Sequence, residues 1–258
     1  MAVLTFAKWI VDAPGWILSL PEGLQRLIFQ FYQVFIYENR WKFFTDGLAT
    51  TFIVTIGALV IGVIIGMIVA LIRSTHDSQS KKPNIVLRIL NVICKIYVTV
   101  LRGTPLMVQL LIMGFVIMVP KGNFETMLCA VITLGINSGA YVAEIARSGI
   151  MSINAGQMEA GRSLGLNFAQ TMWHIILPQA LKNILPALGN ELIALLKETS
   201  LVTVIALQDV TKAAQVIVSK AYTAVIPYIS LALIYLVLVM ILTKLLAILE
   251  RRMRKNER

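Results

Sequence analysis

The sequence predicts an all-α membrane protein with about five transmembrane helices. Of its 258 residues, 58% are hydrophobic and only 14% charged, whereas soluble domains carry about a quarter charged residues. The apolar residues gather in unbroken runs, such as residues 47–72, which hold no charge at all. The basic residues fall in short connectors and at the C-terminus, the pattern that orients membrane helices.

Other classes fit poorly. A transmembrane β-barrel needs apolar and polar residues in alternation, and these runs do not alternate. The formal net charge of +10 forms no single basic stripe of the kind nucleic acid requires, so no nucleic-acid partner is expected and membrane lipid is. Cys94 and Cys129 lie far apart in apolar segments and read as small core residues, not as a disulfide or metal ligands. His76 and His174 have no partners that argue for metal. The first apolar stretch is broken by Asp12, Pro14 and Gly15, so the spans are expected to direct insertion themselves.

Taken in order, residues 1–46 form an N-terminal interfacial segment. Leu24, Leu27, Ile28, Phe31, Val34 and Phe35 recur at helical spacing opposite Gln25, Arg26, Gln30 and Gln33, which suits a helix lying at the membrane surface. The membrane domain covers 47–249. Its first span is 47–72; as a helix, about 23 residues cross about 34 Å. A polar connector, 73–84, leads to a second span within 85–119, interrupted at Arg102-Gly103-Thr104-Pro105. A turn at 120–123 precedes the third span, 127–145. The polar stretch 146–182 follows, then a fourth span, 184–207, a connector, 208–221, and a fifth span, 222–249. Residues 250–258 form a basic tail. Gly62 and Gly66 have the small-xxx-small spacing of close helix packing.

Five alternating spans put 73–84, 146–182 and the tail on one side, and their basic residues make that side cytoplasmic. The opposite connectors hold only Lys121, Lys212 and Lys220, although Arg40 and Lys42 before the first span count slightly against the bias.

The loop centred on 150–178 is too polar to span and too helical in pattern to be a linker. Asn154 with Gln157 marks a helix start, Gly165 a stop, Asn167 with Gln170 a second start, and Pro178 a break. Met158, Gly161 and Leu164 share one face, where the glycine permits close approach. Docking into a partner's groove and lying as a plain surface helix both fit that pattern.

Glu159-Ala160-Gly161, then Gly165 after three residues, Ile175 after nine more, and Leu177-Pro178 resemble the EAA loop of bacterial ABC importer permeases. A glycine stands where that motif usually has its third alanine. Further segments resemble the branch that takes up polar amino acids of the histidine, glutamine, arginine and lysine type. They are Arg102-Gly103-Thr104-Pro105-Leu106 with Gln109-Leu110, Ala140 to Ile145 with Arg147, Gly149-Ile150, Gly156-Gln157, and Lys197-Glu198-Thr199-Ser200-Leu201. The first 40 residues carry no such resemblance.

The resemblance implies a type I ABC importer fold in the bacterial inner membrane. It implies a second permease (the same chain or a related one), a dimer of ABC ATPase subunits and an extracytoplasmic substrate-binding protein. Gln157, Glu159, Ala160, Gly161, Leu164 and Gly165 would couple to the ATPase. This chain is expected to bind no cofactor and to be no enzyme, with ATP and Mg on the partner; no G-x-x-x-x-G-K-[ST] loop occurs in it.

Ionisable and polar groups inside the bilayer are functional candidates by default. Here they are Arg102, Thr104, Gln109, Glu144, Glu191, Lys197 and Glu198. Glu191 and Glu198, seven residues apart, share a helix face that would favour an ammonium-bearing substrate. Mutual pairing that holds the bundle together remains an open alternative. Two further readings stand beside the importer: a permease for methionine, an anion or another solute, and a membrane-bound hydrolase built on Ser163 in Gly161-Arg162-Ser163-Leu164-Gly165. The latter motif needs a strand before its serine, and the surroundings read as helix.

Overall fold

The computed structural model describes residues 5–77 and 84–255. Parts of the 73–84 connector and of the basic tail, and the first four residues, lie outside the described residues. The described chain is helical, without strands. It forms two compact units, Met1–Thr51 with Gln208–Leu238, and Phe52–Leu207 with Val239–Arg258.

The first unit begins with three short helices: α1 (Phe6–Val11), α2 (Gly15–Leu18) and α3 (Glu22–Phe31). A wide helical turn, Tyr32–Ile36, and a tight one, Tyr37–Asn39, lead into α4 (Trp41–Asp77). At the tight turn Glu38 and Asn39 adopt φ of 55° and 53°. Arg40 holds that turn: buried, it donates to the Gln33 carbonyl at 3.1 Å and to Glu38 Oε2 at 3.2 Å.

Residues 208–221, expected as a connector, instead contain α11 (Val210–Ala221). Asp209 caps it, accepting from the Thr211 and Lys212 amides at 3.1 and 2.9 Å. Val210, Ala213, Ala214, Ile217 and Ala221 are buried on one face at helical spacing, with Val34 and Phe44 in the same cluster. Gly47 lets α4 approach closely, because a Cβ there would lie 2.6 Å from the Asp209 carbonyl oxygen.

The second unit is organised around α7 (Asn123–Met151), much of whose surface is buried. α4 packs on it through small residues. A Cβ at Gly62 would lie 2.9 Å from Ser138 Oγ, one at Gly66 2.5 Å from Val142, and one at Gly135 2.7 Å from Ile61. On another side lies α10 (Leu177–Glu198), where Ile184 closes over Gly149. The end of α12 (Val225–Lys255) packs Leu246 over Gly189 of α10.

Three helices, Trp41–Asp77, Asn123–Met151 and Val225–Met253, are long and apolar enough to cross a membrane. Two bent pairs raise the number to five if each counts as one span. In the second expected span, α5 (Ile85–Gly103) and α6 (Leu106–Ile112), continued by a wide turn to Ile117, meet at 105°. The interruption seen in the sequence is thus a sharp corner.

Pro178 ends nothing, contrary to expectation. α9 (Phe168–Thr171) passes through a wide turn, Met172–Ile176, directly into α10. Pro178 sits in the first turn of α10, where the widened turn before it accommodates a ring that would crowd a regular helix.

Candidate functional site

The break between α5 and α6 creates a polar site in an apolar setting. Pro105 has no N–H, so the Leu101 carbonyl four residues earlier loses its helical donor, and in hydrocarbon an orphaned carbonyl must find another. Gln109 Nε2 takes it at 2.9 Å and Asn137 Nδ2 of α7 at 3.2 Å. Asn137 also donates to Gln109 Oε1 at 2.9 Å, and Gln109 Nε2 lies 2.8 Å from Thr104 Oγ1. Thr104, Gln109 and Asn137 thus form one amide-rich cluster at the corner. Arg102, exposed at the end of α5, lies over the Tyr141 ring, 5.2 Å from its centroid.

Along α7, Ser138 fits into the space left by Gly62 and donates to Glu191 Oε1 of α10 at 2.7 Å. Glu191 has no ion-pair partner among the described residues, and Glu198 stands two helical turns on, about 10 Å along the same face. Lys197 is exposed elsewhere on the helix. No ion pair within 4 Å joins Glu191, Glu198, Lys197 and Arg102 to one another within this chain among the described residues.

Glu144 belongs to a different group. Arg73 of α4 reaches its Oε1, and Arg147 its Oε2 at 3.3 Å, while Arg147 also lies 3.6 Å from Asp77. With side-chain exposures of 12% for Arg73 and 25% for Glu144, this network ties α4 to α7 and leaves Glu144 committed.

The polar loop carries the third arrangement. α8 (Ala155–Ser163) is fixed at both ends. Asn154 accepts from the Gly156 amide at 2.8 Å. At the other end Gly165, with φ of +85°, donates to Arg162 O at 3.0 Å and Leu166 to Gly161 O at 3.1 Å, a Schellman closure. Asn167 and Gln170 form a reciprocal capping box that starts α9. Gly161 is buried, and a Cβ there would lie 2.5 Å from Thr171 Cγ2. The close approach predicted for the Met158, Gly161 and Leu164 face is therefore made within the chain at Gly161, whereas Leu164, past the end of α8, does not share that buried face. Gln157, Glu159, Ala160, Gly165 and Leu164, the last 81% exposed, face outward.

Ser163 donates to its own helix, to Glu159 O at 2.9 Å, and His174 Nδ1 lies 3.0 Å from Gln170 O. No strand precedes the serine among the described residues, so the nucleophile geometry is missing. Asn137, Ser138, Arg73 and Asp77 were not singled out from the sequence. Two adjacent polar residues inside the third apolar run were the available signal for Asn137 and Ser138.

Residues 84–255 match the family described as binding-protein-dependent transport system inner membrane component. An arginine transport system permease protein of Bacillus subtilis (strain 168) is 40% identical over 216 residues, covering 83% of this chain and 94% of that protein. A glutamine transport system permease protein of Escherichia coli (strain K12) is 34% identical over 211 residues, covering 81% and 92%. Among solved structures, an amino acid ABC transporter crystallised with histidines aligns with a TM-score of 0.72 at 43% identity, over 82% of this chain and 94% of that one. The inward-facing MetNI methionine ABC transporter aligns at 0.69, covering 82% and 96%; at 20% identity that likeness is one of fold.

Proposed function

We infer the function of this chain from its family: it belongs to the inner membrane components of binding-protein-dependent transport systems. It is the membrane-spanning permease subunit of an ATP-driven ABC importer for polar amino acids, with the type I fold, and a separate subunit hydrolyses ATP. A substrate-binding protein and an ATPase are its partners by family.

The finer assignments are proposals. The outward face of α8, with Gln157, Glu159, Ala160, Leu164 and Gly165, seats in the ATPase dimer, whose nucleotide sites hold ATP and Mg. Gly161 serves that contact indirectly by letting α8 lie tight on α9. The loop and the C-terminus are cytoplasmic, a second permease completes the pathway, and lipid rather than nucleic acid meets the basic residues. The amide cluster of Thr104, Gln109 and Asn137, with Arg102, Glu191 and Glu198, lies along the route taken by the amino acid. Glu144, tied to Arg73 and Arg147, and the exposed Lys197 stand outside that route. Relatives named for arginine and for glutamine support a side chain ending in a cation or an amide, for which a carboxylate and amide groups are suitable partners.

The observation that carries this reading is the short helix α8, clamped at both ends, with Glu159 and Ala160 exposed on its outward face. Nucleotide-driven closure of the paired ATPases would move such an element as a rigid handle. The test is uptake of labelled arginine and glutamine into proteoliposomes holding the permease and its co-expressed ATPase. Glu159→Lys combined with Leu164→Asp should abolish uptake while the assembled pore still folds; uptake at the wild-type rate would sink the proposal.

A further inference from the structure

Helices α1 to α3 carry an apolar strip that the transport mechanism does not use. Phe29 of α3 is buried among Phe6 and Trp9 of α1, with ring centroids 5.5 and 5.3 Å away. That contact consumes one face of α3. On the opposite face Leu24, Leu27 and Phe31, at i, i+3 and i+7, are exposed to 48%, 49% and 53%. Arg26 and Gln30 run between the two faces, and Arg26 pairs with Glu22 at 2.6 Å. Trp16 and Leu18 of α2 add further exposed apolar surface.

Even with the wide turn that continues it to Ile36, α3 extends only about 22 Å, short of a hydrocarbon core of about 30 Å, so it cannot span. Its alternation of apolar strip and charged strip suits a boundary between water and hydrocarbon. The aromatic content fits the same boundary: Trp9, Trp16 and Trp41 are three of the chain's four tryptophans, and indoles concentrate at headgroup depth. The same unit contains the first part of α12, where Leu233, Leu236 and Val237 are exposed on a helix long enough to cross a bilayer. Lipid is thus already the solvent of this unit. The Bacillus relative is matched over 94% of its own length by 83% of this chain, and the family match begins at residue 84, so α1 to α3 lie outside it.

We propose that α1 to α3 form an interfacial anchor, lying in the headgroup–acyl boundary with Leu24, Leu27, Phe31 and Trp16 immersed in lipid. The first 46 residues contain Lys8, Arg26, Arg40 and Lys42 against Asp12, Glu22, Glu38 and Asp46. With the charges balanced, immersion depends on apolar burial and not on attraction to anionic headgroups.

The test uses the full chain with Cys94→Ala and Cys129→Ala, reconstituted in phosphatidylcholine or phosphatidylglycerol vesicles. A nitroxide is placed singly at Leu27→Cys, Phe31→Cys, Glu22→Cys or Gln30→Cys, with Leu236→Cys on α12 reporting that the fold is intact. The expected ratio of oxygen to nickel-chelate collisions at Leu27 and Phe31 resembles that at Leu236 and exceeds that at Glu22 and Gln30 by an order of magnitude, equally in both lipids. Similar ratios at all four α3 sites would overturn the proposal. So would shielding of Leu27 and Phe31 from both reagents, which marks a protein partner, or immersion in the anionic vesicles alone.

Discussion

Glu191 receives a hydrogen bond from Ser138 at 2.7 Å and has no cation beside it among the described residues. Glutamine at this position keeps an acceptor for Ser138 and removes only the charge. Glu191→Gln should therefore fold normally yet lower the preference for arginine over glutamine by about tenfold, or about 1.4 kcal/mol; competition uptake assays read that ratio. Gly66 makes the opposite point, because its role is steric. A Cβ there meets Val142 at 2.5 Å, so Gly66→Val should destabilise the α4–α7 contact by about 1–3 kcal/mol, seen as a lower melting temperature in detergent. Both residues stand out in the sequence, as a charge inside an apolar run and as half of a spaced glycine pair. Of their partners, Ser138 is marked only by lying beside Asn137 in an apolar run, and Val142 is not unusual for its position.

At the scale of elements, α8 depends on its ends. Nine residues form a helix too short to be stable alone, so the Asn154 cap and the Gly165 closure decide whether it persists. Gly165→Ala forces a side chain into the left-handed region at about 1–2 kcal/mol, and Asn154→Ala costs about 1 kcal/mol. In either variant, amide hydrogen exchange across 155–166 should accelerate while α7 stays protected. The cap residues were readable because capping is local chemistry. The inward turn of Gly161 was not, because Thr171 lies ten residues on and the direction α8 faces is set by how α9 folds back on it. α11 was missed for a related reason. It follows Asp209 with a helical apolar spacing, but alanine-rich faces give a weak signal until the surface they cover is known.

At the scale of the whole molecule, the prediction concerns sidedness. Cys94 and Cys129 are buried, so a single Ala160→Cys on exposed α8 reports alone. A membrane-impermeant maleimide should label it in inverted vesicles and spare it in right-side-out ones. Labelling from the outside would reverse the topology drawn from the basic connectors.

The sequence by itself determined that the chain lives in a membrane, roughly where its apolar helices fall, and which polar loop carries the capped short helices. Those features are written in runs, spacings and caps, each decided by residues near one another along the chain. Only the tertiary structure decided what the polar groups inside the apolar helices do. It joined the carbonyl freed by Pro105 to Gln109 and Asn137, committed Glu144 to Arg73 and Arg147, and left Glu191 to Ser138 alone among the described residues. Those outcomes depend on which helices meet and at what register, because a buried polar group must be satisfied by whatever packing brings within reach.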